Sequence, residues 1–139
     1  MSYFLKLLGL TKSGLPEIWW EERPEIVSGV FLEKRPRQIQ SGDRLIYYAV
    51  GGGKRVVAEV EVVGNATRDF EPPPDWTRER RLKFPWRMPV KLLAHYAADS
   101  SAPRAADFYP RLIKAGSYRR LTDEQGRGMA EAIRARGRT

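Results

Sequence analysis

Tryptophans and arginines are the residues of this chain best suited to chemistry on another molecule. Trp76 stands in the loop-like stretch Pro74-Asp-Trp-Thr-Arg78, Trp19 and Trp20 sit side by side in a second such stretch, and Arg78, Arg80, Arg81, Lys83 and Arg87 follow Trp76 closely. Two indole faces with space between them can stack a planar base, each stacked base being worth about 1–3 kcal/mol. Guanidinium groups around such a slot can ride the phosphates, which makes affinity fall with salt. The alternative is a core tryptophan beside a solvated basic strand, because most rings in a small β domain fill its interior.

Catalytic sets are harder to assemble. The chain has no cysteine and a single histidine, His95, which excludes thiolate metal sites, disulfides and cysteine nucleophiles. Gly51-Gly52-Gly53-Lys54 is followed by Arg55 and a strand-like run, not by Ser or Thr opening a helix, so it reads as a hairpin turn and not as a phosphate loop. There is no Gly-x-Ser-x-Gly elbow, and His95 reads as a surface or rim histidine. Glu59 and Glu61 share one strand face and could work as a carboxylate pair or hold a divalent ion. Arg and Lys on neighbouring strands would explain them equally well. The expectation is a binding protein with no catalytic residues, no metal and no cofactor.

The elements that must hold these residues follow from spacing. Tyr3, Leu5 and Leu7 alternate with Phe4, Lys6 and Leu8, the pattern of a strand buried on at least one side. Leu15 to Glu22 opens with Pro16 and acids, a short helical turn carrying Trp19 and Trp20 and ended by Pro24. Arg44–Val50 and Arg55–Val63 form a hairpin, with Val56, Ala58, Val60 and Val62 expected on one face and Glu59 and Glu61 on a partly wet one. Alternation from Arg80 to about Tyr96 predicts an extended stretch that aligns Leu82, Phe84, Trp86, Met88, Val90, Leu92 and Ala94, with its prolines marking an edge or bulge. Thr122-Asp-Glu-Gln125 is a capping box for a helix to about Ala135.

At 139 residues and 16.0 kDa the chain suits one domain, residues 1–139, whose core needs no staples. Net charge is +8, and most of the excess lies beyond residue 50, where eighteen bases face eleven acids. Such a balance favours polyanions. The opening residues are too short for a secretory core and no apolar run approaches a membrane span. A soluble, cytoplasmic, monomeric protein is expected.

The order of motifs resembles that of the EVE domain of the PUA-like superfamily, whose relatives include the YTH readers of methylated adenine. The resemblance is carried by Tyr3-Phe-Leu-Lys-Leu7, Trp19-Trp20 ahead of Ser28-Gly29-Val30, and Gln40-Ser-Gly42-Asp43 before Leu45-Ile-Tyr-Tyr48. It continues through Val56-Val-Ala-Glu-Val60, Arg68-Asp69, Trp86-Arg-Met-Pro-Val-Lys91 and Ser117-Tyr-Arg-Arg-Leu-Thr122. It implies an α+β, mainly β fold, a PUA-like curved barrel of five to six strands with short peripheral helices and a C-terminal helix. It also implies a non-enzymatic reader of a modified or flipped base in DNA or RNA. The pocket would comprise Trp19 or Trp20, Ser28, Gly29, Val30 and Tyr48, with Trp76 or Trp86 as the opposing wall. Arg78, Arg80, Arg81, Lys83 and Arg87 would bind phosphate around it. Phe31-Leu32 and Ala49-Val50 depart from the Arg-Asn and His-Ser of many relatives. The competing expectation is a PUA-like module for protein or small-ligand binding with no nucleic-acid role.

Overall fold

The computed structural model describes residues 1–8, 16–49, 55–98, 101–108 and 118–136. The glycine turn expected at 51–53, Lys54, Leu15 and Ser117 lie outside them. The fold is α+β and mainly β. Six strands form one curled mixed sheet: β1 (Tyr3–Leu8), β2 (Gly29–Leu32), β3 (Arg44–Ala49), β4 (Arg55–Val62), β5 (Trp86–His95) and β6 (Tyr118–Arg120), in the spatial order β2-β5-β4-β3-β1-β6. The helices are α1 (Trp19–Glu22), α2 (Glu25–Ser28), α3 (Arg78–Lys83) and α4 (Asp123–Arg136), with a 3-10 turn at Ala105–Asp107. No helix among the described residues is long and apolar enough to cross a membrane.

Strand β1 is buried at every position, Lys6 included, because it is central and covered on both faces. It runs parallel to β3 (Leu5 opposite Ile46) and antiparallel to β6 (Leu5 opposite Arg119). Phe4 and Leu8 join Trp19, Leu45, Tyr47, Val60 and Met88 in one core, while Tyr3, Leu5 and Leu7 join Ile46, Tyr48, Met129 and Ile133 in another beneath α4. Two cores on two faces therefore follow from the alternation read in the sequence.

That alternation breaks in two strands. Between β3 and β4 the register shifts at Tyr47/Tyr48, so that Val57 and Ala58 both enter the first core and Val56 turns to the second. The expected single face of Val56, Ala58, Val60 and Val62 is corrected by this bulge. A second shift at Glu59/Val60 places Leu92 in the first core and Ala94 in the second. The extended run expected from Arg80 begins only at Trp86. Thr77 caps α3, its hydroxyl accepting from the Arg80 N–H at 3.2 Å, and Leu82 is left 71% exposed. A good N-cap outweighed a period-2 pattern that had no partner strand to hold it.

The Gln40–Asp43 turn ties three segments together. Gly42 has φ +93°, open to glycine at no steric cost. The buried Asp43 carboxylate accepts from the Ser2 N–H at 2.9 Å and the Gln40 N–H at 2.8 Å, and the Val62 N–H donates to the Asp43 carbonyl. At the far end the capping box forms as read: Thr122 Oγ1 accepts from the Gln125 N–H, and Gln125 Oε1 accepts from the Thr122 N–H.

Helix α4 is fastened to β4 by an ion pair. Glu59, expected on a wet face, is fully buried. Its carboxylate takes both Nε and Nη2 of Arg134 at 2.7 Å and Nη1 of Arg44 at 3.1 Å. Arg44 also lies 3.6 Å from Glu61. Both carboxylates therefore serve arginines, and among the described residues no group of three or more His, Cys, Asp or Glu is arranged to hold a metal ion.

Candidate nucleic-acid interface

Aromatic rings and cations gather beside the ribbon formed by β2 and β5. In β2 the short alternation of Gly29-Val-Phe-Leu32 sends Val30 and Leu32 into the first core and leaves Phe31 on the outer side, opposite Arg87 of β5. Residues after β4 return alongside β5, where Thr67 and Arg87 exchange backbone hydrogen bonds at 2.8 and 2.9 Å. That return delivers Phe70 and Trp76 onto Phe31.

Four rings meet there. Trp76 lies 4.6 Å from Phe31 at an interplanar angle of 64°, and Phe84 stands 6.2 Å from Trp76. Phe70 lies 5.6 Å from Phe31. Trp76 is buried, whereas Phe31, Phe70 and Phe84 are half-buried, and Trp76 belongs to neither core. Over the Trp76 ring, 5.0 Å from its centroid, sits the Arg80 guanidinium, a cation–π contact. The buried Nε of Arg80 finds no hydrogen-bond partner among the described residues. Lys83 stands 5.6 Å over Phe84 and pairs with Glu33 at 3.7 Å. Arg78 and Arg81 are exposed on α3. One short helix therefore brings together four of the five cations expected to bind phosphate.

The fifth, Arg87, lies on the same ribbon. Its Nη2 donates to the Ser28 carbonyl at 3.0 Å and reaches the Ser28 hydroxyl at 3.4 Å. The guanidinium crosses Gly29 so closely that a Cβ there would stand 2.5 Å from Nε. Only glycine lets the arginine lie flat against the strand. Ser28, Gly29, Phe31, Trp76, Arg80 and Arg87 thus lie together on one side of the β2–β5 ribbon, with Gly29 and Trp76 buried among them.

The remaining expected residues lie elsewhere. Trp19 is fully buried in the first core, donating its Nε1–H to the Tyr96 carbonyl at 2.9 Å. Trp20 is half-buried, 5.9 Å from Trp19 and 4.6 Å from the His95 ring. Tyr48 does not share a side with Trp19, since it faces α4 in the second core. Tyr47 takes that place, its ring 6.0 Å from Trp19 and its hydroxyl donating to the Ile26 carbonyl at 2.8 Å. Burial holds the Tyr47 phenol well above its ordinary range against the pull of the Arg87 charge, and burial likewise raises that of Tyr48. Both phenols stay neutral. Trp86 packs on the first core beneath two exposed guanidiniums, Arg35 at 5.9 Å and Arg68 at 5.7 Å from its ring centre.

Phe31, Phe70, Phe84, Arg35 and Arg68 were not among the site residues expected from the sequence. Phe31 had a usable signal, an outward position in a strand whose Val30 and Leu32 point in. The others come together only through the return of the chain beside β5.

No protein-family model matches the chain, and no curated protein does. Solved structures do. The MmI1 YTH domain superposes with a TM-score of 0.62 at 12% identity, covering 97% of this chain and 96% of that one. A hypothetical protein from Leishmania major gives 0.56 at 16% identity, covering 97% and 96%. A protein from Pseudomonas putida gives 0.53 at 14% identity, covering 95% and 99%. At these identities the likeness is one of fold.

Proposed function

We propose that this chain is a non-enzymatic nucleic-acid-binding module that takes an unpaired or flipped base against the Phe31–Trp76 cluster and grips the backbone with arginines. The observation that carries the reading is Arg80 lying over the Trp76 indole amid exposed cations. A planar cation at that distance occupies the place a planar base would take, so a base can exchange for Arg80 on the same ring face. The released guanidinium can then reach a phosphate. Arg78, Arg81 and Lys83 stand on the same helix, and Arg87 flanks the site. A fold held in common with a YTH domain supports this reading, as does the +8 charge.

Selectivity for a modified base is the finer part of the proposal. A methyl group adds apolar area against Phe31 and Phe84 and weakens no phosphate contact. The test is a titration of methylated and unmodified single-stranded oligonucleotides, read by tryptophan fluorescence across a salt series. Tighter binding of the methylated strand and a falling affinity with salt are expected. Equal affinities remove the modified base, and a flat salt response removes nucleic acid.

One observation favours the competing protein- or small-ligand-binding reading. Phe31 and Trp76 already pack edge to face at 4.6 Å, closer than the roughly 7 Å that two rings sandwiching a base require at ordinary carbon contact distances. A base must therefore stack on one open face rather than enter a ready slot. Failure of any oligonucleotide to quench Trp76 would give that reading precedence.

A further inference from the structure

At the other end of β5 from the aromatic surface, an open cleft of about 600 Å³ lies between the start of β4, the 3-10 turn and the last turns of α4. Its size falls in the range of small-ligand sites, about 300–1,000 Å³. Tyr96 and Phe108 contribute rings, Ala132 and Ala135 of α4 contribute a low wall, and Arg55 and Arg104 contribute charge. None of these residues belongs to the β2–β5 surface.

The two arginines stand in an unusual relation. Arg55 and Arg104 are directly opposed in an antiparallel bridge, which puts their side chains on the same side at close range. Like charges so placed repel. Arg104 is relieved by Asp107, whose Oδ1 lies 3.1 Å from its Nη2. Arg55 spends Nη1 on the Ala102 carbonyl at 2.8 Å, has no carboxylate partner among the described residues, and keeps a buried Nε with no hydrogen-bond partner among them. A cross-strand pair of cations, one of them with no carboxylate partner among the described residues, at the mouth of a cleft lined by two rings, is complementary to a flat ring that carries an anion.

We propose that this cleft binds a small aromatic anion of nucleoside monophosphate size, its phosphate between Arg55 and Arg104 and its ring against Tyr96 and Phe108. The inference is independent of whether the β2–β5 surface binds a polynucleotide. The experiment is a titration monitored by backbone amide chemical shifts, using adenosine 5′-monophosphate, adenosine and inorganic phosphate as separate probes. The monophosphate should bind at least roughly tenfold tighter than either fragment, as expected when charge-assisted and stacking contacts combine. Arg104→Gln should bring its affinity close to that of adenosine. Ala135→Trp, an exposed position on α4, should fill the cleft and abolish binding of the monophosphate while leaving oligonucleotide titrations unchanged. Shift changes confined to residues outside the cleft, or binding that survives Ala135→Trp, would overturn the proposal. Loss of oligonucleotide binding in the same Ala135→Trp protein would overturn it too, by showing that the cleft belongs to the polynucleotide surface.

Discussion

Two buried charges make opposite demands on stability. Glu59 is fully buried but has three guanidinium contacts, so Glu59→Gln removes a compensated charge, strands Arg134 and leaves Arg44 only its longer contact with Glu61. Breaking a buried pair costs about 3–5 kcal/mol, and exposure of Arg134 brings the expected loss to about 2–3 kcal/mol, measurable by urea unfolding. Lys6 is the reverse case. It is 4% exposed, its Nζ donating to the Leu7 carbonyl at 2.7 Å, and burial lowers its pKa to about 8 although Glu33 pulls the other way. Between pH 8 and 10.5 the unfolded chain binds the proton that the folded chain has lost, so stability from this group rises with pH in that window. Below pH 8 its penalty is constant. Lys6→Met should therefore stabilise the protein at pH 7 by an amount on the order of 3 kcal/mol, with the difference from the parent chain vanishing above pH 10.5. A difference that stays constant from pH 7 to 11 would show that Lys6 keeps its charge when folded.

Helix α4 shows how an element is placed by what it lacks as much as by what it carries. Gly126 meets Tyr3 of β1 so closely that a Cβ would stand 2.2 Å from the ring. Gly126→Ala gains helix propensity, about 1 kcal/mol, yet must push Tyr3 aside, and overpacking of that kind costs about 1–3 kcal/mol. The expected outcome is a lower unfolding midpoint, and a raised one would show that the helix can slide on the sheet. The capping box and apolar face of α4 were legible in Thr122-Asp-Glu-Gln125, Met129 and Ile133 because a helix is specified by neighbours a few residues apart. The alternation of β1 was legible for the same reason, although the pattern required burial on one side at least and the structure buries both. Segment 78–83 was not, since Leu82 and Phe84 fit the strand period and only the Thr77 hydroxyl tips the balance. Nor were the bulges at Tyr47/Tyr48 and Glu59/Val60, which arise from fitting one strand to another. The Phe31, Phe70, Trp76 and Phe84 cluster has the same origin, because contacts across 45 residues leave no periodic trace.

For the molecule as a whole, charge and shape set what can be tested. A basic chain with its spare arginines on α3 should show salt-dependent oligonucleotide binding. Replacing Arg78 and Arg81 with alanine should lower the slope of log affinity against log salt by about one for each lost phosphate contact. An unchanged slope would place the phosphates elsewhere. Sheet order carries a different consequence. Because β1 lies between β3 and β6, and Arg120 reaches back to the Ser2 hydroxyl across 118 positions, β1 is synthesised long before the strand that covers its edge. Until Tyr118–Arg120 emerges, one side of β1 offers bare amides and carbonyls to any passing chain. This is a window for misassembly in which a chaperone would earn its keep, and a truncation before residue 118 would leave it open permanently.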